Sequence, residues 1–243
     1  MNDFEIELPT SDTKFDQDEE YFILKGSKEE KIQFHDYERI FQTPGLYEAI
    51  FHQRLKCQSP RVIKELLCDN VQESESNFED LKILDYGAGN GLVAEALNQA
   101  NPELIVGVDI LESAKMAALR DRSNVYEDYY VEDLSQPGDE AIQELESYNF
   151  NTIVSVAALG FDHIPPESFV NAFNLIETSG WFAINLRDRF LTNGDESGFK
   201  EKLDWMADEH IELLNEKTYM HRLSVTGNPI NYTAIVGRKL NDI

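Results

Sequence analysis

Lys82-Ile83-Leu84-Asp85-Tyr86-Gly87-Ala88-Gly89-Asn90-Gly91-Leu92-Val93-Ala94-Glu95-Ala96-Leu97 is the stretch on which the fold turns. Residues 82–86 make a short, largely apolar run suited to a buried strand, and residues 92–99 carry a helical pattern. Between them lies a tight turn containing three glycines. Glycine reaches positive φ and lets a ligand approach without meeting a Cβ, while the helix that follows offers unpaired N–H groups at its start. The spacing narrows the ligand. A dinucleotide-binding G-x-G-x-x-G loop needs a small residue where this chain has Leu92; here the third glycine is Gly91, giving G-x-G-x-G, and an acid, Asp85, precedes the turn.

Working outward toward the C-terminus, strands predicted at 104–109, 124–126, 152–157 and 181–185 alternate with helices at 113–121, 139–145 and 167–177. This is the order of a parallel sheet with helical crossovers. The end of the chain departs from it. A helix at 200–209 is followed by long strands at 211–223 and 230–240, joined through Thr226-Gly227-Asn228-Pro229, which favours a hairpin and an antiparallel element at one side of the sheet.

Toward the N-terminus, residues 29–71 read as helical, with Phe34, Tyr37 and Phe41 at i, i+3 and i+7. Thr43-Pro44-Gly45 breaks the pattern, and a new helix starts at Ser59-Pro60 with Ser59 as its N-cap. Residues 1–28 are acidic and aperiodic, and are expected to form a tail with no core of its own. The expected organisation is an acidic tail (1–28), a helical lid (29–75) and an α/β domain (76–243).

The predicted second strand ends at Asp109, where nucleoside-binding α/β folds place the group that accepts hydrogen bonds from ribose hydroxyls. The third is followed by Val131-Glu132-Asp133-Leu134, an acid beside an apolar residue, suited to an adenine amino group and one ring face. With Asp85, three acids would surround one crevice.

The chain has 243 residues and a formal net charge of -25. Such a field repels phosphate backbones and anionic lipid, so neither nucleic acid nor a membrane surface is an expected partner. The first forty residues hold 12 Asp or Glu against 5 Lys or Arg, the reverse of a targeting peptide, and no apolar run spans a bilayer. Cys57 and Cys68 lack Cys or His neighbours at metal-site spacing, so reduced thiols, no metal and a cytoplasmic location are expected.

Together, residues 83–97, Asp109, Asp133-Leu134, the run 152–159 and the Ser179-Gly180-Trp181 turn resemble class I S-adenosylmethionine-dependent methyltransferases, over roughly residues 81–240. The resemblance implies a Rossmann-like three-layer α/β sandwich with a seven-stranded, mostly parallel sheet whose last strand is antiparallel. It also implies S-adenosyl-L-methionine as cofactor and S-adenosyl-L-homocysteine as product. By the same resemblance Asp85, Gly87, Ala88, Gly89 and Gly91 would hold the methionine part, and Asp109 the ribose. Ile110 and Leu134 would cover the adenine faces, Asp133 would take the adenine amino group, and Ala157 would also contact the cofactor. Ser179-Gly180 stands where many members have two glycines. Members that methylate nucleic-acid or protein amide nitrogen often carry Asn/Asp-Pro-Pro-aromatic after the fourth strand, and Ala157-Ala158-Leu159-Gly160 does not match it.

That departure, with the acidic charge, points to a small-molecule acceptor methylated at oxygen or nitrogen. His163 and Tyr37 are candidate catalytic residues, Tyr37 also a substrate contact, and Arg187 a candidate partner for a substrate carboxylate. Two alternatives are a donor-binding protein without catalysis and an NAD-dependent oxidoreductase, the latter disfavoured at Leu92.

Overall fold

The computed structural model describes residues 4–9, 20–160, 164–191 and 198–243. A seven-stranded sheet is built from β4 (Lys82–Tyr86), β5 (Leu104–Asp109), β6 (Asp128–Val131), β7 (Thr152–Ser155), β8 (Trp181–Arg187), β9 (Ile211–Leu223) and β10 (Pro229–Lys239), in the order β6-β5-β4-β7-β8-β10-β9. The pairs from β6 to β8 are parallel, and β10 is antiparallel to both β8 and β9. The C-terminal hairpin therefore inserts its second strand into the sheet and leaves its first at the edge.

Each central strand is apolar on both faces, as a sheet covered by helices on both sides requires. Ile83, Ile105, Val154 and Ala183 pack against α2 (Ser59–Glu73) and α3 (Leu92–Asn98), whereas Leu84, Val106, Ile153 and Phe182 face α5 (Asp139–Ser147), α6 (Pro166–Asn174) and α7 (Phe199–Glu209). α4 (Glu112–Asp121) buries Ala114, Ala117 and Ala118 against Phe41, Ala88 and Tyr129.

Two expectations shift by a few residues. The third strand of the α/β domain is β6 at Asp128–Val131, not 124–126: Glu127 and Asp128 hid its start, while Tyr126 turns back toward β4. The α2 N-cap is Gln58, because the Ser59 hydroxyl is occupied elsewhere.

The N-terminal part differs more. β1 (Glu5–Glu7), β2 (Tyr21–Lys25) and β3 (Glu29–Gln33) form an antiparallel sheet, followed by α1 (Tyr37–Gln42) and a π-helical turn at Glu48–Arg54. Ile6, Phe22, Leu24 and Ile32 join Phe34, Ile40, Phe51 and Leu55 in a separate core that also takes in Val225, from the tip of the β9–β10 hairpin. The expected coreless tail and all-helical lid thus give way to a small α+β cap. Among the described residues, the charges that masked the pattern sit on outer strand positions: β1 buries only Ile6 among three residues and β3 only Ile32 among five. Inside this cap Arg222 and Glu20 form a buried ion pair at 2.9 Å, and Glu20 also accepts the Val225 N–H.

Candidate active site

The glycine loop leaves β4 at the carboxyl edge of the sheet, where open α/β folds bind their ligands. The N–H groups of Gly87 and Ala88 both donate to the Val108 carbonyl, at 2.8 and 3.1 Å, so the loop is fastened across the end of β5. Gly87 has φ +76°, and a Cβ there would lie 2.5 Å from the Ala158 Cβ; neither its torsion nor its space admits a side chain. At Gly89 the Cα faces the Phe41 ring of the cap.

Asp109 ends β5 and lines the cavity above the loop. One carboxylate oxygen accepts the Gly89 N–H at 2.9 Å and the other the Leu111 N–H at 3.0 Å. Burial pushes this carboxyl above its usual range, while those backbone bonds pull it back. A carboxylate oxygen has more than one lone pair, so both oxygens keep acceptor capacity toward the cavity. Tyr129 completes the loop's anchorage by donating to the Gly89 carbonyl at 2.7 Å.

Asp85 lies beneath the loop rather than in the cavity lining. Tyr126 donates to its Oδ2 at 2.8 Å, and its Oδ1 is buried without a hydrogen-bond partner. Burial raises this carboxyl to about 7, against the lowering effect of the Tyr126 bond. A buried carboxylate oxygen lacking a partner is a recognised mark of a site awaiting a polar group.

The remaining sequence-derived positions divide. Ala88, Ile110, Asp133 and Ala157 line the cavity together with Gly87, Gly89 and Asp109. Ile110 is 56% exposed, unusual for isoleucine, and so offers an apolar face beside Asp109. Asp133 is exposed, and the Ser135 hydroxyl together with the Ser135 N–H, which donates to it at 2.8 Å, holds its carboxyl below the usual range. Leu134 is instead fully buried in the core, because the turn after β6 directs it under α6, whose Asn171 donates to the Leu134 carbonyl. Gly91 caps α3 and faces Tyr126 and Arg122. Arg187 ends β8 half-buried, outside the cavity lining, where burial and the neighbouring Arg189 lower its pKa. Tyr37 lines the cavity, stacked on Phe41 with ring centroids 5.9 Å apart; burial raises its phenol to about 12. His163 lies outside the described residues.

Several contributors have no recognisable mark in the sequence. Ala157 has φ +57°, rare for a residue with a Cβ, and its N–H donates to the Asn185 side-chain oxygen at 2.6 Å. The Asn185 amide donates in turn to Tyr219 and Ser59, and the Ser59 hydroxyl lies 2.6 Å from Nδ1 of His221. A buried polar network from α2, β8 and β9 therefore holds the strained residue at the end of β7. From the cap, Glu48 accepts from Asn90 of the glycine loop at 2.9 Å and from Arg122 at 2.8 Å. An asparagine inside the apolar run of β8 was the one detectable signal; the other partners are distant in sequence.

The cavity holds about 480 Å³, a size typical of small-molecule sites, and lies between the glycine loop and the cap. Strand order, the inserted antiparallel strand and the glycine loop at the carboxyl edge define the Rossmann-like methyltransferase class. The methyltransferase domain model matches residues 60–227, and the chain belongs to that family, the class I S-adenosylmethionine-dependent methyltransferases. The fold is similar to that of N-methyltransferase NodS from Bradyrhizobium japonicum WM9 in complex with S-adenosyl-l-homocysteine: TM-score 0.59, 13% identity, covering 86% of this chain and 98% of that one. An S-adenosylmethionine-dependent methyltransferase from Clostridium acetobutylicum ATCC 824 aligns with TM-score 0.54 and 10% identity, over 81% and 97% of the two chains. Magnesium protoporphyrin IX methyltransferase from Synechocystis PCC 6803 with bound SAH gives 0.51 and 15%, over 75% and 83%. Among curated proteins, none matches this chain by sequence.

Proposed function

We propose that this protein transfers a methyl group from S-adenosylmethionine to oxygen or nitrogen of a small-molecule acceptor, releasing S-adenosylhomocysteine. The observation that carries the reading is Asp109, whose carboxylate lines the cavity with spare acceptor capacity while both its oxygens anchor the backbone of the loop region. It would hold the ribose hydroxyls. Ile110 would cover an adenine face and Asp133 would accept from the adenine amino group. The Gly87-Ala88-Gly89 backbone would hold the methionine part, with the orphan oxygen of Asp85 drawing a polar or cationic group toward the loop. The bound donor supplies an electrophilic methyl group on a positively charged sulfur.

The chain's own residues then have to align the nucleophile and exclude water. The cap does the second, through Phe41 over Gly89 and Glu48 on Asn90. Tyr37, protonated at any physiological pH, acts as a hydrogen-bond donor to the acceptor rather than as a base. His163 remains a candidate for the base. In this reading the cap, up to Leu55, acts as a lid on the methyl-transfer domain of 76–243, whereas α2, within the expected lid of 29–75, packs on the sheet of that domain. The net charge and the two free cysteines support a small acceptor in the cytoplasm over nucleic acid or membrane; among the described residues no helix is long and apolar enough to cross a membrane.

The experiment is a metabolite-library methylation assay that detects S-adenosylhomocysteine. Turnover on one or more acceptors is expected. Tight S-adenosylmethionine binding with no turnover across a broad library would favour a donor-binding protein without catalysis.

A further inference from the structure

Resting on that reading, we infer that the acceptor half of the cavity selects amines, cationic or neutral, and rejects carboxylates and phosphates. Among the described residues lining the cavity there is no lysine and no arginine, while Asp36, Glu38, Asp109 and Asp133 all line it. Asp109 and Asp133 belong to the donor seat in that reading, and Asp36 and Glu38, both exposed, line the cavity from the cap. An anionic acceptor entering here would shed its hydration without a cationic partner, the costliest form of burial. Arg187, the sequence's candidate for a carboxylate, stands outside the lining.

The guanidinium of Arg222 acts electrostatically on Tyr37 and Tyr47 but is matched by Glu20 at 2.9 Å in a buried pair. The long-range field has the same sign as the lining, since the chain carries -25, and it concentrates cations at the mouth.

The wall that would receive the body of such an acceptor is aromatic. Tyr37 and Tyr47 line the cavity, and Phe41 stacks on both, with centroids 5.9 and 5.4 Å away. Aromatic faces attract alkylammonium groups as well as apolar bodies. His35 and His52 are also in the lining, and burial lowers the pKa of His52, which favours its neutral imidazole. The step balances without further reagents. A cationic amine first gives one proton to an imidazole, which passes it to solvent; the freed nitrogen lone pair then forms the N–CH₃ bond as the S–CH₃ bond breaks, the bonding pair stays on sulfur, and the methylated nitrogen leaves as an ammonium.

The test uses the full chain saturated with S-adenosylhomocysteine, whose binding is first measured by calorimetry. Size-matched amines, neutral alcohols, carboxylates and phosphate esters, with phenethylamine, phenethyl alcohol and hydrocinnamate as the first set, are then screened by ligand-observed NMR. Amines should dominate the hits, their affinity should fall with added salt, and the anions should be absent. Glu38→Lys should weaken amine binding several-fold at unchanged S-adenosylhomocysteine affinity. Anions binding as often as amines, or no enrichment of amines, overturns the inference. Absence of S-adenosylhomocysteine binding would instead fail the methyltransferase seat itself.

Discussion

The amide of Gly89 and the carboxylate of Asp109 are joined by a 2.9 Å hydrogen bond that ties the glycine loop after β4 to the end of β5. One side chain thus shapes the loop and faces the cavity beside it. Asp109→Ala removes both functions. Donor affinity should fall by about 1.5–3 kcal/mol for the lost charge-assisted bonds, with a further loss from the loosened loop. Calorimetry with S-adenosylhomocysteine checks this, and unchanged affinity would mean the ribose is held elsewhere.

Asp85 predicts a pH effect of a definite sign. Burial raises its carboxyl in the fold to about 7, well above the ordinary carboxylate range, so the native state holds a proton that the unfolded chain has already lost. Stability from this group is full below about pH 4 and declines as pH rises through about 7. Asp85→Asn should abolish that component, so the difference in melting temperature between variant and parent should widen in the variant's favour from acid to neutral pH. A difference that is flat across this window would show that Asp85 ionises normally.

Gly87→Ala places a methyl group 2.5 Å from the Ala158 Cβ on a backbone with φ +76°. Destabilisation of about 1–3 kcal/mol is expected from the torsion alone. Urea unfolding measures it. A variant as stable as its parent would mean that the loop rearranges freely.

Asn185→Ala leaves the Ala157 N–H without its acceptor and deprives Ser59 and Tyr219 of a donor. The loss should be about 1–3 kcal/mol for the orphaned groups. Because Ala157 lines the cavity, kcat on any identified acceptor should fall more than KM rises. Equal stability with equal kcat would reduce the network to incidental packing.

The α/β half was legible because its signals are local. Period, glycine spacing and an acid at the end of a strand each occupy a few consecutive residues, and β4, the loop, α3 and Asp109 stand where their pattern puts them. Leu134 marks a limit of local pattern: an apolar residue after a strand can face a ligand or the core, and only the path of the turn under α6 decides. The cap was illegible for another. Its strands bury four residues of thirteen among many charges, and its core is closed by Val225, a partner remote in the chain. The Asn185 network likewise joins α2, β8 and β9, and no local pattern records it.

The pairing of Glu20 with Arg222 spans nearly the whole polypeptide, and Val225 sits in the same core. During synthesis the first strands emerge long before the hairpin that covers them. Their core is complete only when the hairpin of the large sheet has also folded. Closing the cavity roof is therefore coupled to folding of the hairpin that completes the large sheet.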